Sequence, residues 1–333
     1  MKRSLQSAVL VAVAIGLAGT MSACSPGNAS GPVAEGASGT VVWYSSHNPT
    51  QNEAVVTAFQ EANPDIHVEV LRLVTGELAT RYGQERASGQ ASADLVTLSD
   101  PVFVESGADE GWWDTDVPTA EGWPEDQYAD GVATIGYLPL LLGYNTDSLG
   151  SAEAPQEWKD LTDPKYRGRL IMPDVRNDPA YLSLMQLWTQ EYGDDFLSGI
   201  AAQDPQFVSS VVPGNESLGA GSGDVLAPNA VPSATTMIDA GAPIELLQPE
   251  PTTGIEYYTM ITSNAENPAA AATLYEFLTS KEGQQAYNGA VGASPREDVE
   301  GTASLPEDYV QLRDLLPAAN DRRDEIVGLL GIQ

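Results

Sequence analysis

The sequence predicts an α/β protein with two lobes, and three observations carry that class. Strand-like and helix-like stretches alternate from Gly39 to Asp100. An apolar run from Val132 to Asn145 is longer than one strand needs and long enough to cross between lobes. A second strand–helix series in the same style follows it. The length of 333 residues admits two domains, and 42% apolar residues are enough to fill their cores.

Val41-Val42-Trp43-Tyr44 is a β-rich run ending in the polar turn Ser45-Ser46-His47-Asn48-Pro49. Between Gln51 and Ala62 the apolar residues Ala54, Val55, Ala58 and Phe59 recur at helical spacing, and Asn63-Pro64-Asp65 stops that helix. Ile66 to Leu73 alternates as a strand. Thr75 is placed to cap a helix running through Arg86, and Asp94 to Leu98 is a third strand ending at Ser99-Asp100. This order requires parallel pairing with right-handed crossovers. The turns after the strands then gather at the carboxyl edge of one sheet, where open α/β sheets bind ligands. In the second series, Leu170-Ile171-Met172 is a strand, and Asp178-Pro179 opens a long helix with Pro in its first position. Phe207-Val208 leads into a polar turn to Asn215, then a short helix that ends in a Gly-rich turn at Asp224. Pro243 to Gln248 and Tyr257 to Thr262 are strands, and Asn267-Pro268 to Leu278 is an Ala-rich helix.

Composition removes several functions. With 15 Lys+Arg against 47 Asp+Glu, the net charge of −32 leaves no basic footprint for nucleic acid. One cysteine excludes a disulfide framework or a multi-thiolate zinc site, and two histidines leave little for a metalloenzyme or a His-dependent triad. After residue 24 nothing is apolar enough for long enough to span a bilayer. At the N-terminus Lys2 and Arg3 precede an apolar stretch of signal-peptide length, Ala8 to Ala18. Met21-Ser22-Ala23-Cys24 then resembles a bacterial lipobox, with Met where Leu is usual. It implies removal of residues 1–23 and acylation of Cys24; the alternative is a plain secretory signal with an incidental cysteine. The Gly/Ser/Pro/Ala-rich residues 24–38 read as a tether holding the body off the extracytoplasmic face of the cell membrane.

Candidate ligand contacts sit where strands end and helices begin, because unpaired N–H groups and the helix dipole attract anions there. They are Ser45, Ser46 and His47 after the first strand, Thr75 and Gly76 after the second, Ser99 and Asp100 after the third, and Asn215, Glu216 and Ser217 in the second series. Arg176 and Asn177 lie between a strand and a helix, and Arg176 can hold a carboxylate or phosphate bidentately. The competing account is local: such Ser, Thr and Asn residues cap helices, and Arg176 pairs with Asp174 or Asp178. The tryptophans at 112, 113, 123, 158 and 188 read as structural, whereas Trp43, beside the first turn, is in reach of the cleft.

Five stretches, YSSHNPTQNEAVVTAFQEANPDIHVEV, GYNTDSL, PQEWKDLTDPKYRGRL, NPAAAATLYEFLTSKEGQQ and GASPRED, carry a family resemblance. In order and spacing they resemble the extracellular solute-binding proteins of bacterial ABC importers, in the branch containing ferric-ion-binding proteins. The resemblance implies a type II periplasmic-binding-protein-like fold: two α/β lobes joined by crossing hinge strands, with the ligand in the cleft between them. It assigns residues 39–135 to the first part of lobe 1, 136–250 to lobe 2, 251–298 to a return segment of lobe 1 and 299–333 to C-terminal helices. The implied partners are a small-molecule or ion ligand, an ABC permease with its ATPase, and the membrane through Cys24. It implies no cofactor and no catalysis.

The metal question stays open. Ferric binders of that branch carry adjacent tyrosines in lobe 2 shortly after a Gly-Asp/Glu that starts a strand. Here the residues after Gly223-Asp224, Val225 to Pro232, include no tyrosine, which argues against a tyrosinate iron site. Tyr257-Tyr258 is the one adjacent pair, on a return strand whose alternation sends one ring into packing and the other, Tyr257 or Tyr258, towards the hinge. His47 falls near the branch's histidine ligand. The solute is thus a ferric ion with its anion, a ferric chelate, a phosphonate, a sugar phosphate or another organic anion. Two rivals remain: a secreted hydrolase with paired carboxylates, and a lipid-anchored sensory or adhesion module. The chain has no Gly-x-Ser-x-Gly, phosphate-loop or His-Glu-x-x-His motif to favour an enzyme.

Overall fold

A computed structural model describes residues 37–90 and 92–332. The expected signal peptide, Cys24 and nearly all of the tether lie outside the described residues. The body opens with strict alternation: β1 (Gly39–Ser45), α1 (Pro49–Ala62), β2 (Ile66–Arg72), α2 (Thr75–Ser88), β3 (Leu95–Leu98) and α3 (Pro101–Asp109). As expected, β2 and β3 both run parallel to β1. After β4 (Tyr128–Ala129) and β5 (Val132–Pro139), the apolar run breaks at Leu140, and β6 (Leu141–Asn145) enters a different sheet. That sheet continues with β7 (Leu170–Pro173), α4 (Pro179–Tyr192), α5 (Asp194–Ala201), β8 (Gln206–Val208), α6 (Val211–Gly219), β9 (Val225–Asn229), α7 (Val231–Asp239) and β10 (Ile244–Leu247). The chain returns through β11 (Gly254–Ile261), then α8 (Pro268–Thr279), α9 (Lys281–Asn288), α10 (Leu312–Asp321) and α11 (Arg323–Leu329).

The two sheets are ordered β2-β1-β3-β11-β5-β4 and β10-β6-β9-β7-β8. Both mix a parallel block with returning strands: β11 is antiparallel to β3 and β5, and β6 is antiparallel to β9 and β10. Alternation along β1 divides the first lobe's apolar residues. Val41 and Trp43 pack with Val55, Phe59 and Leu274 on one face, while Tyr44 joins Leu78, Tyr82 and Met260 on the other. In the second lobe, Trp158, Leu182, Met185 and Trp188 form a core that also takes Leu312, Leu315, Ala319 and Ile326 from the C-terminal helices. The chain therefore crosses between lobes at Leu140, between β10 and β11, and again before α10. Ile255 packs against both cores.

Three local expectations are corrected. Val74, not Thr75, holds the N-cap position of α2, and Thr75 is its first helical residue. Trp43 does not reach the cleft: it is fully buried, its indole N–H donating to Thr97 Oγ1 at 2.9 Å. α6 begins at Val211, so Asn215, Glu216 and Ser217 lie within the helix and not in a turn before it.

Candidate functional site

A cleft of about 690 Å³ lies where the carboxyl ends of β1, β2 and β3 face those of β7 and β8. From the first lobe it is lined by Ser46, Arg72, residues 74–77, Ser99, Asp100, Ile255 and Tyr257. The second lobe contributes residues 176–179, Tyr181, Ser209 and Ser210, and α11 contributes Arg323. Four helices start here. Asp100 Oδ1 caps α3 by accepting from the Phe103 N–H at 3.1 Å, and Asp178 Oδ1 caps α4 by accepting from the Ala180 N–H at 2.8 Å. Ser210 precedes α6, and residues 74–77 form the opening turn of α2. The first backbone bond within α2 is from the Leu78 N–H to the Val74 carbonyl, so the N–H groups of residues 75–77 have no partner inside the helix.

The sequence-derived candidates separate by what holds them. Ser46, Thr75, Gly76, Ser99, Asp100, Arg176, Asn177 and Tyr257 all line the cleft. Ser45 faces the other way, as the strand period demands, and donates to Asn52 Oδ1 at 2.8 Å under α1. His47 is buried behind Tyr257, the rings stacked with centroids 4.3 Å apart. Its Nδ1 accepts from the Asn48 N–H at 2.8 Å, and the ring also makes a backbone hydrogen bond with Tyr287. Desolvation holds its pKa down to about 3, so the imidazole is neutral. Asn215, Glu216 and Ser217 are absent from the cleft wall, and Asn215 is fully buried in a paired amide contact with Asn229 at 2.8 and 3.0 Å.

Among the residues that do line the cleft, some are already engaged. Thr75 and Ser99 share a hydroxyl–hydroxyl bond of 2.8 Å that ties the second turn to the third. Asn177 donates to the Ser209 carbonyl at 2.9 Å, fixing one second-lobe loop on the next. Arg176 grips both oxygens of Asp174, its Nη2 2.6 Å from Oδ2, and holds that carboxyl below its ordinary range. Arg72 donates to the His47 carbonyl at 3.2 Å and forms no ion pair among the described residues. Ser46 is different again: only 6% exposed, its Oγ has no hydrogen-bond partner. A buried hydroxyl left alone costs free energy that a bound solute can recover.

Sequence reasoning missed Arg72, Asp178, Tyr181, Ser209, Ser210 and Arg323. Arg72 ends a strand whose alternation was legible, and Ser209-Ser210 directly precede a helix, so both carried a signal. Tyr181 sits in α4, where residues 180–189 are all buried and no polar face marks the cleft side. Arg323 arrives from the far end of the chain.

Tyr257 and Tyr258 project to opposite faces of β11. Tyr257 lines the cleft, whereas Tyr258 donates to Glu256 and lines a separate cavity beside α3 and α10. Burial pushes both phenols well above the usual tyrosine range. Among the described residues there is no group of three or more His, Cys, Asp or Glu able to hold a metal ion.

Two mixed α/β sheets, three crossings and a cleft lined from both sides define a two-lobed binding protein. The sequence family agrees: the model of the bacterial extracellular solute-binding proteins matches residues 92–309, and the chain belongs to that family. It is a solute-binding protein of the extracytoplasmic class, not an enzyme. Among solved structures, the fold is similar to the substrate-binding protein of an ABC transporter from Agrobacterium tumefaciens, with a TM-score of 0.76 and 19% identity over 89% of this chain and 96% of that one. Iron-bound HitA from Pseudomonas aeruginosa is similar at TM-score 0.71 and 18% identity, covering 86% of this chain and 99% of that one. The periplasmic binding protein AfuA from Actinobacillus pleuropneumoniae, with fructose-6-phosphate bound, is similar at 0.66 and 18%, covering 88% and 99%. No helix among the described residues is long and apolar enough to cross a membrane.

Proposed function

We propose that this solute-binding protein serves an ABC importer whose solute carries an anionic group, held between the lobes and passed to a permease worked by its ATPase. One observation carries the anionic reading: the N-termini of α2, α3, α4 and α6, two from each lobe, converge on a cleft that also gathers Arg72, Arg176 and Arg323 in a chain of net charge −32. Helix N-termini offer unpaired N–H groups and the positive end of a dipole, and guanidinium matches carboxylate or phosphate geometry. In this reading Ser46, Thr75, Gly76, Ser99, Arg176, Asn177 and Tyr257 contact the solute, joined by Arg72, Ser209 and Ser210. A phosphorylated sugar, as bound by the A. pleuropneumoniae protein, has such chemistry.

A ferric cargo is the second reading, favoured by hard oxygen donors on both lobes: Asp100 and Tyr257 on one, Asp178 and Tyr181 on the other. The ion would have to displace protons that burial holds on both phenols. Acylated Cys24 and the tether then keep the protein at the membrane carrying its permease.

Native mass spectrometry of the chain from residue 25 onward, against its denatured mass, tests the cargo. A phosphorus- or carboxylate-containing adduct supports the anionic reading, and an iron mass without an organic anion replaces it with the second. The same measurement on chain extracted from membranes reads the acyl mass expected at Cys24.

A further inference from the structure

A cleft built only for an anion has no use for carboxylates, yet this one carries Asp100 and Asp178 in its wall, alongside the exposed Glu77 of α2. Each is half occupied by its helix: one oxygen of Asp100 takes the Phe103 N–H and one of Asp178 takes the Ala180 N–H. A serine or asparagine would cap equally well, so capping alone does not explain the charge. The pair comes from opposite lobes. The two are close enough that the charge on Asp100 adds to burial in raising the pKa of Asp178, to about 6. Neither carboxylate forms an ion pair among the described residues, although three arginines share the cleft: Arg176 is engaged with Asp174, and Arg72 and Arg323 pair with no acid. Tyr181 and Tyr257, one ring from each lobe, line the same space, and the charge of Asp178 acts on both. The unpartnered, buried Ser46 hydroxyl independently marks the cleft as built for a ligand.

We propose that the solute is a zwitterion: its anionic group lies on Arg72, Ser46 and the opening turn of α2, and its ammonium group sits between Asp100 and Asp178, against the rings of Tyr181 and Tyr257. This rests on the anionic reading above and adds the second half of the ligand. The chemistry is complementary at both ends, since an ammonium is stabilised by carboxylates and by aromatic faces. It also couples binding to closure. In the empty cleft the two carboxylates repel each other across the lobes. A cation between them turns that repulsion into a bridge, so the solute interacts differently with open and closed states, as any ligand-driven closure requires.

Calorimetric titration of the mature full-length protein, stripped of co-purified solute, tests this with two matched pairs: O-phosphoethanolamine against ethyl phosphate, and β-alanine against propionate. Within each pair the anionic group is shared and only one member carries the ammonium. The expected result is at least about tenfold tighter binding of the ammonium-bearing member of one pair at pH 7.5, equivalent to about 1.4 kcal/mol. That preference shrinks at pH 5 as Asp178 takes up a proton. Asp178→Asn and Asp100→Asn each bring the ratio close to one while leaving the ammonium-free member bound as before or better. Equal binding within both pairs, or preference for the ammonium-free member wherever a pair binds, overturns the zwitterion and leaves the anionic reading standing. No binding of any of the four overturns both. If either variant fails to melt cooperatively, the wild-type ratio and its pH dependence still decide.

Discussion

Asp178 serves its helix and burdens the fold at once. As the cap of α4 it satisfies a first-turn N–H, but its carboxyl is desolvated and lies near Asp100, and its pKa stands at about 6 against an ordinary 3.8. A native pKa above the unfolded one means the folded state binds the proton more tightly, so stability is lost as pH rises from 3.8 through 6. Asparagine caps as well without the charge. Asp178→Asn should therefore stabilise the empty protein at pH 7.5 by at most about 3 kcal/mol, read as a higher melting temperature, with the gain vanishing near pH 4. A variant less stable than wild type at pH 7.5 would show that the charge is compensated. At this scale the sequence was half legible. Strand period and turn chemistry brought out Ser46, Ser99 and Arg176, but not that Ser45 faces α1 or that both nitrogens of His47 are engaged, because those depend on what packs behind the turn.

Helix starts are the elements that make the cleft, and most were legible because capping is local chemistry. Asp178-Pro179 opens α4 as predicted. α6 starts at Val211, inside the stretch read as a polar turn to Asn215, and it accommodates Pro213 because in a first turn the missing N–H costs nothing. The C-terminal arm was much less legible, since what fixes it lies on distant elements, a buried acid on β11 among them. Glu256 of β11 accepts from the Tyr258 hydroxyl at 2.5 Å, the Tyr309 hydroxyl at 3.1 Å and the Leu312 N–H at 2.7 Å. Two of those donors belong to the arm, so this acid fastens α10 to the hinge strand. Glu256→Ala leaves three buried donors unpaired, at about 1–3 kcal/mol each. Limited proteolysis should then cut faster within residues 299–311; cleavage at the wild-type rate would mean that the contacts of α10 with α4 suffice.

Across the whole molecule, the two lobes and the crossing near Leu140 followed from one apolar run too long for a single strand. The order of strands within each sheet did not, because β10 and β11 pair antiparallel with strands far earlier in the chain. With the cleft lined from both lobes and three crossings acting as the hinge, a bound solute should draw the lobes together. Small-angle scattering should give a smaller radius of gyration for the loaded protein than for the empty one, and identical curves would rule out closure. The place of β11 has a different consequence, one of sequence in time. It lies between β3 and β5 in the first sheet. Until Gly254–Ile261 is available, the opening hundred residues have no path to β5 except through a gap at the sheet's centre. A chain delivered end-first through a narrow channel therefore cannot complete its first lobe early. The keystone of the first lobe is β11, the last strand in chain order, so that lobe closes only once most of the chain has arrived.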